Sequence, residues 1–244
     1  MNELSSLLKR SIEGLGYQQG EYEDAAAAVV WLEARGMNGI EMIASAWPRL
    51  ESGSGNRIEL TKNTDHVATL DASDCSVAFC GRVAADLAFA ATEESNISRI
   101  EIRHCHDCIA IFPSLDFCAT HGLYAIAHWY KDGLLHIGVT QPQQPGCDYC
   151  CIETPDDDAA QPERLTVSFS RDGKKILAMA FELAGGDSQY KSGIKVHSSD
   201  MQAHYNRAIT NGMTVNADTV NMLTAAADRV LVEATEQSRL GAGE

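Results

Sequence analysis

The spacing of the hydrophobic residues changes twice along this chain, and that change constrains the fold more than any other feature. In residues 1–50, apolar side chains such as Leu8 and Ile12 recur every three or four positions, which is the period of an amphipathic helix. Between residues 57 and 184 the apolar runs are short and are separated by glycine, proline or aspartate, as strands are. Helical spacing returns in residues 199–239.

Helices at both ends and strands between them predict one α+β domain. We expect a mainly antiparallel central sheet flanked by the N-terminal and C-terminal helices. The Ser/Gly-rich run at 52–56 is not treated as a domain boundary, because the helical residues before it would make only a thin core alone. The whole chain, 1–244, is therefore expected to be a single domain, with an N-terminal helical segment (1–50), a sheet region (57–184) and C-terminal helices (199–239).

Local signals within the sheet region predict particular strands and turns. The apolar run at residues 108–113 has the composition of a strand. Residues 141–163, rich in Pro, Gln, Gly and Asp, are predicted to form a loop. Asp172-Gly173 lies between two apolar runs, and an Asp-Gly pair in that position indicates a β-hairpin.

Charge and hydropathy exclude several classes of partner. The formal net charge is −15, from 19 basic and 34 acidic residues. Such a surface repels phosphate backbones and anionic lipids, so we expect neither nucleic acid nor membrane as a partner. No apolar stretch of about 20 residues is present, and the N-terminus lacks the pattern of a signal peptide, so a cytoplasmic location is expected. In that compartment the eight cysteines are thiols or metal ligands.

The run His104-Cys105-His106-Asp107-Cys108 is a candidate metal site. On a strand, alternate side chains share a face, so His104, His106 and Cys108 would point together. Imidazole and thiolate are both ligands that Zn²⁺ accepts. The alternative is a strand edge with locally bonded histidines and cysteines packed as small apolar groups.

A second cysteine cluster, Cys147-Asp148-Tyr149-Cys150-Cys151, follows Pro145-Gly146. Two cysteines separated by two residues on a tight turn can hold zinc or act as a redox pair. If this loop folded over the strand, Cys147 and Cys150 would complete a zinc site with His104 and His106. We expect the other outcome, in which the cysteines bind no metal.

The C-terminal run is the strongest candidate for ligand binding. Asn216 is predicted to cap a long helix that carries Thr235, Glu236, Ser238 and Arg239 to its far end. A guanidinium beside a carboxylate and two hydroxyls suits a carboxylate or phosphate ligand. The alternative is an ordinary helix end at which Arg239 caps carbonyl groups.

Two segments of the chain resemble one bacterial family of uncharacterised single-domain proteins, a domain of unknown function. They are the N-terminal helices ending in Trp31-Leu32-Glu33-Ala34-Arg35-Gly36, and the run Ala234-Thr235-Glu236-Gln237-Ser238-Arg239 followed by Gly241-Ala242-Gly243. The resemblance implies one domain and supplies no activity. The first helical pair also has a loose likeness to the N-terminus of malate/lactate dehydrogenases of the non-Rossmann type, but the long nucleotide-binding remainder is judged to be missing.

Motifs of established catalytic machinery do not occur. The chain has no Gly-x-Ser-x-Gly, no phosphate-binding loop and no Gly-x-Gly-x-x-Gly after a strand. We therefore expect a non-catalytic accessory protein that binds a small metabolite or a partner protein, and a homo-oligomer is compatible with the sequence. The alternative is a small-molecule enzyme with a site at Glu236 and Arg239, with or without a metal.

Overall fold

The computed structural model describes residues 1–53, 57–64, 66–94, 96–153 and 164–230, and for residues 93 and 94 the backbone alone. Its helices within these ranges are α1 (Asn2–Gly14), α2 (Gln19–Ala34), α3 (Gly39–Gly53), α4 (Val77–Glu94), α5 (Phe112–Thr120), α6 (Gly173–Leu183), α7 (Asp187–Gly193), α8 (Ser198–Asn211) and α9 (Ala217–Ala227). Its strands there are β1 (Glu59–Thr64), β2 (Val67–Ser76), β3 (Ser98–His106), β4 (Tyr124–Lys131), β5 (Leu134–Gln141), β6 (Gln144–Glu153), β7 (Arg164–Ser170) and β8 (Ile194–Val196).

The described strands form one sheet in the order β1-β2-β3-β7-β4-β5-β6-β8. Every neighbouring pair in it is antiparallel except β2 and β3, which are parallel and are connected through α4. The predicted α+β domain with a mainly antiparallel sheet is confirmed. No helix in the described ranges is long and apolar enough to cross a membrane.

Side chains alternate between two hydrophobic cores on opposite faces of the sheet. Ala125, Ala127 and Trp129 of β4 belong to the larger core, which also contains buried residues of α1 to α5, α8 and α9. Ile126, between them, belongs to the smaller core, which α6 and α7 cover. Because the sheet is covered on both faces, its central strands are almost continuously buried, which explains the weak alternation of β7.

Three segments of the sheet region differ from the prediction. Residues 108–113 form a 3₁₀ turn leading into α5, and the predicted loop at 141–163 contains the ten-residue strand β6. Asp172 does not begin a hairpin, since its carboxylate accepts a hydrogen bond from the Lys174 backbone N–H at 3.0 Å and caps α6. The Asp-Gly pair was compatible with either structure, and the helical spacing of the buried Ile176 and Ala180 decides for the helix.

Two helix boundaries show different controls. The helix α3 continues through Pro48, although proline often ends a helix, and Trp47 and Leu50 on either side are buried in the larger core. Asn216 caps α9 as predicted, its side chain accepting a hydrogen bond from the Thr219 backbone N–H at 2.7 Å. The described part of that helix ends at Ala227 and is followed by a 3₁₀ turn, Asp228–Val230.

Gly39 sets the closest approach between α2 and α3, and its replacement provides a test of this packing. A Cβ atom at Gly39 would overlap the Val29 carbonyl oxygen and lie 2.9 Å from the Glu33 nitrogen, so Gly39→Ala must push the two helices apart. We expect the free energy of unfolding to fall by about 1–3 kcal/mol, measured by urea denaturation. Gly20→Ala in α2 is the matched control, because a Cβ there meets no atom within 4 Å. The control should be at least as stable as the parent protein, and equal loss in both variants would refute the packing argument.

Candidate functional site

A cavity lies at one end of the central strands, beneath α3. Its volume is about 780 Å³, within the range of small-molecule sites. The pairing of β7 with both β3 and β4 brings the end of β3, at His106, to the same end of the sheet as the turn between β4 and β5. That turn is Asp132-Gly133, both with positive φ (52° and 73°), as a tight hairpin requires.

The rim and the interior of the cavity differ in chemistry. The side chains of Glu41 and Arg49 from α3, and of Lys131 and Asp132 from the hairpin, are exposed and give the rim two charges of each sign. The interior is lined by the buried Trp129 and by residues at the end of β3 and in the turn that follows it, Cys105, His106, Asp107 and Cys108. The cavity therefore combines charged groups at its opening with aromatic and thiol groups inside.

His106 and Asp107 form a partly buried pair on the cavity wall. The His106 Nδ1 lies 2.7 Å from Asp107 Oδ2, and the two side chains are 10% and 20% exposed. Asp107 adopts the left-handed conformation (φ 55°, ψ 44°) before the 3₁₀ turn Cys108–Ile111. Its carboxylate lies directly beside the ring of the preceding residue, His106. With Nδ1–H donating to the carboxylate, Nε2 is the nitrogen that exchanges protons, which is the arrangement of a general acid–base histidine.

An aromatic wall completes the interior. Trp129, His136 and Cys151 are direct cross-strand partners on β4, β5 and β6, so their side chains form one row on the cavity face. The Trp129 and His136 rings stack with centroids 5.1 Å apart and planes at 5°. Tyr149 extends the row, its ring at 12° to Trp129 and 16° to His136.

The ring of His136 is held neutral and in one orientation. Burial lowers its pKa, so Nδ1 accepts a hydrogen bond from the Tyr149 hydroxyl at 2.6 Å and Nε2–H donates to the Lys131 carbonyl at 3.4 Å. Burial is also the main cause that raises the pKa of Tyr149, followed by its hydrogen bond with Cys151, so the phenol keeps its proton. The wall is thus uncharged and aromatic.

The predicted metal ligands on β3 do not share a face. His104 has a positive φ (51°), which breaks the alternation of the strand, and its Nδ1 lies 2.9 Å from Asp71 Oδ2 in an exposed position. His106 instead faces the cavity with Asp107, and Cys108 lies in the 3₁₀ turn beyond the strand. The expectation of a common face assumed an unbroken strand, and the left-handed residue overturns it.

Cys147 and Cys150, the proposed ligands of the second cluster, lie on opposite sides of the sheet. Cys147 and Cys150 are three apart on β6, so Cys147 packs in the larger core and Cys150 in the smaller one. The tight turn that the zinc hypothesis required is absent from this stretch of β6. Among the described residues, no group of three His, Cys, Asp or Glu side chains could hold a metal ion.

The predicted ligand-binding residues Thr235, Glu236, Ser238 and Arg239 lie outside the described residues. Sequence analysis did not select the residues that line the cavity, apart from the His104–Cys108 run. Trp129 and His136 were not among the candidate residues, and no signal in the sequence showed that they are cross-strand neighbours. The Asp132-Gly133 turn was the available clue, because it fixes the register of the β4–β5 hairpin.

Comparison of the sequence with protein families gives one match, over residues 1–78, to a family described as a protein of unknown function (DUF3726). This agrees with the predicted resemblance to an uncharacterised family at the N-terminus, and the C-terminal run lies outside the matched residues. No curated protein matches the sequence significantly.

Solved structures match the fold over nearly its whole length. A putative malate/lactate dehydrogenase from E. coli has a TM-score of 0.69 and 12% identity, with 97% of this chain and 96% of that chain covered. Malate dehydrogenase from Pyrococcus horikoshii OT3 has a TM-score of 0.67 and 11% identity, with 95% of each chain covered. Delta1-piperideine-2-carboxylate reductase from Pseudomonas syringae pvar. tomato has a TM-score of 0.65 and 12% identity, with 92% of this chain and 98% of that chain covered.

These matches correct two expectations. The likeness to malate/lactate dehydrogenases is not confined to the first helical pair, since the solved structures cover more than nine tenths of the chain. The expectation of a non-catalytic accessory protein is overturned as well, because the chain has a fold that dehydrogenases and a reductase use. Identity this low defines the fold alone, so substrate and residue roles must be argued from the cavity itself.

Proposed function

We propose that this protein is an oxidoreductase that interconverts a small 2-oxo or 2-imino acid and its reduced form in the cavity beneath α3. The observation that carries the proposal is the partly buried His106–Asp107 pair on the cavity wall, in a fold shared with a malate/lactate dehydrogenase and a piperideine-2-carboxylate reductase. The substrates in those names carry a carboxylate beside the carbon that changes oxidation state. Reduction at that carbon needs a proton donor, and oxidation needs an acceptor.

His106 is the residue that holds and moves this proton. Its Nε2 gives a proton to the carbonyl oxygen or imine nitrogen during reduction and takes it back during oxidation. Asp107 orients the ring and stabilises its protonated form, as the carboxylate partner of a catalytic histidine does. Arg49 and Lys131, at the rim, are the cations that hold the substrate carboxylate.

The oxidoreductase fold implies a nicotinamide dinucleotide, and the residues of the cavity fit one. The row of Trp129, His136 and Tyr149 gives the cavity an aromatic side for a planar ring, while Glu41 and Asp132 suit ribose hydroxyls. When bound, the nicotinamide supplies or accepts the hydride. The protein's own contribution is to bind the ring against an uncharged wall and to limit access of water to it.

An assay of dinucleotide binding and turnover tests this proposal. NADH and NADPH should each be titrated against intrinsic tryptophan fluorescence, because a ring stacked on Trp129 quenches its emission. A panel of 2-oxo and cyclic 2-imino acids should then be followed by nicotinamide absorbance. Arg49→Ala should weaken carboxylate binding and raise KM by about 10-fold or more, whereas Arg171→Ala, at an exposed position after β7, should not. Absence of both quenching and turnover across the panel would refute the function.

A further inference from the structure

Two cysteines flank the His106–Asp107 pair, and the proposed acid–base chemistry uses neither of them. Cys105 and Cys108 both line the cavity. Cys105, the last but one residue of β3, is 1% exposed, whereas Cys108 is partly accessible at the start of the 3₁₀ turn. Together with the pair between them they form a Cys-x-x-Cys segment whose two thiols face one solvent-connected space.

The Cys105 and Cys108 side chains are hydrogen-bond partners. The left-handed backbone of Asp107 turns the chain sharply after β3, so the two cysteines lie on either side of a bend and line the same cavity. Two cysteines separated by two residues across a turn form the Cys-x-x-Cys arrangement of dithiol–disulfide pairs.

Other thiols near this segment are placed differently. Cys80 lies close to Cys105 but has no exposed surface, so a reagent from solvent does not reach it. Cys151 is partly accessible but lies on β6 beside His136. Cys108 is therefore the accessible member of a contacting pair, and Cys105 is its buried partner.

We propose that Cys105 and Cys108 form a reversible dithiol–disulfide site that reacts with small disulfides of the glutathione type. The site lies in the wall of the cavity and brackets His106 and Asp107, so its oxidation state is coupled to the position of the acid–base pair. This assignment of the thiols does not depend on the oxidoreductase function, whereas its effect on turnover rests on it.

The reaction balances in two exchange steps. The Cys108 thiol loses its proton and attacks one sulfur of the small disulfide, which forms a mixed disulfide and releases one small thiol carrying that proton. Cys105 then loses its proton and attacks the Cys108 sulfur, which forms the Cys105–Cys108 bond and releases the second small thiol. The protein dithiol is oxidised by two electrons and the small disulfide is reduced by two.

The environment of Cys108 sets the pH dependence of the first step. Its hydrogen bond to Cys105, followed by burial, raises the pKa of the Cys108 thiol well above its usual value of 9.0. Because the thiolate is the attacking species, the rate should be low at neutral pH and should rise about tenfold per pH unit up to that pKa.

Intact-mass spectrometry of the full chain tests the proposal with oxidised glutathione as the probe. The reduced protein is incubated at pH 7.5 and pH 9.5, and we expect a loss of about 2 Da that dithiothreitol reverses, faster at the higher pH. Fragmentation should place the link between residues 105 and 108. Cys105→Ser should stop at a mixed disulfide on Cys108, and Cys108→Ser should form no link, while Cys151→Ser should still lose the same mass. Circular dichroism of each variant separates loss of reaction from loss of fold.

Three results would overturn the assignment. They are an unchanged mass at both pH values, a link that joins Cys105 to Cys80, and an adduct confined to Cys151. None of these measurements needs a nicotinamide or an acid substrate, so the dithiol site and the oxidoreductase function fail independently. If both hold, oxidation should lower turnover by at least 10-fold, and dithiothreitol should restore it.

Discussion

His106→Gln is expected to lower kcat by a factor of about 10²–10⁴, the contribution that a positioned general acid or base makes to proton transfer. Glutamine keeps a polar side chain in the 10%-exposed position but cannot exchange a proton at neutral pH. Binding of the dinucleotide should be almost unchanged, because its ring is proposed to stack on Trp129 rather than on His106. The measurement is steady-state turnover of the best substrate from the panel, beside fluorescence titration of the dinucleotide.

Asp107→Asn is the matched variant for the same pair. Asparagine tolerates the left-handed conformation of residue 107 and can still contact the His106 ring, but it removes the negative charge. We expect kcat to fall less than in His106→Gln, because the ring still exchanges a proton but loses the carboxylate that orients it. A kcat that is unchanged in both variants would exclude the pair from proton transfer.

Asp116→Ala is expected to lower the free energy of unfolding by about 3–5 kcal/mol, as removal of one partner from a buried ion pair does. Asp116 on α5 accepts hydrogen bonds from the Trp31 Nε1–H at 3.0 Å and from the Gly146 backbone N–H at 2.9 Å. Its Oδ2 also lies 3.7 Å from the Arg35 guanidinium, and these two side chains are 14% and 11% exposed. The variant leaves two hydrogen-bond donors and one guanidinium without their partner in a poorly hydrated region.

The position of Arg35 is what makes this loss large. Its guanidinium lies between the Trp31 ring, at 4.1 Å, and the Tyr205 ring of α8, at 4.6 Å. Burial lowers the pKa of Arg35 and the charge of Asp116 opposes that shift, so the carboxylate stabilises the guanidinium in this position. Asp116 thus connects α2, α5 and β6, and Arg35 extends the contact to Tyr205 of α8.

Asp86→Ala is the control for this prediction, since Asp86 also pairs with an arginine, Arg82, at 3.3 Å. That pair lies on the surface of α4, with side chains 63% and 42% exposed, and should contribute about 0.3–0.5 kcal/mol. Urea denaturation of the two variants compares a buried and an exposed carboxylate directly. Equal losses would show that Asp116 is not the connection that its geometry indicates.

The N-terminal helices were predictable because their information is local. Leu8 and Ile12 recur at helical spacing and are fully buried in the larger core, as their pattern predicted. Asn216 could be identified as a helix cap from its own side chain, which needs only the backbone three residues further on. Asp172-Gly173 shows the limit of such reasoning, because an aspartate before a glycine begins a hairpin or a helix equally well.

Segments whose structure depends on pairing with distant strands were harder to predict. The strand β6 was missed because its sequence, with Pro145 and Gly146 near its start, has the composition of a loop. Its assignment as a strand depends on pairing with β5 and β8, which the segment does not encode alone. The expected common face of His104, His106 and Cys108 was also wrong, because the left-handed residue His104 breaks the alternation of β3.

The sequence by itself determined the α+β class, the helical ends and the identity of the one run, His104–Cys108, that reaches the candidate site. Only the tertiary structure decided that this run meets α3 and the β4–β5 hairpin, because strand order and register come from long-range pairing. The row of Trp129, His136 and Tyr149 exists through the alignment of three strands, and no periodicity within one strand predicts it. Backbone conformation at Asp107 then determines which side chains meet, and that conformation is selected by packing around it rather than by the residue alone.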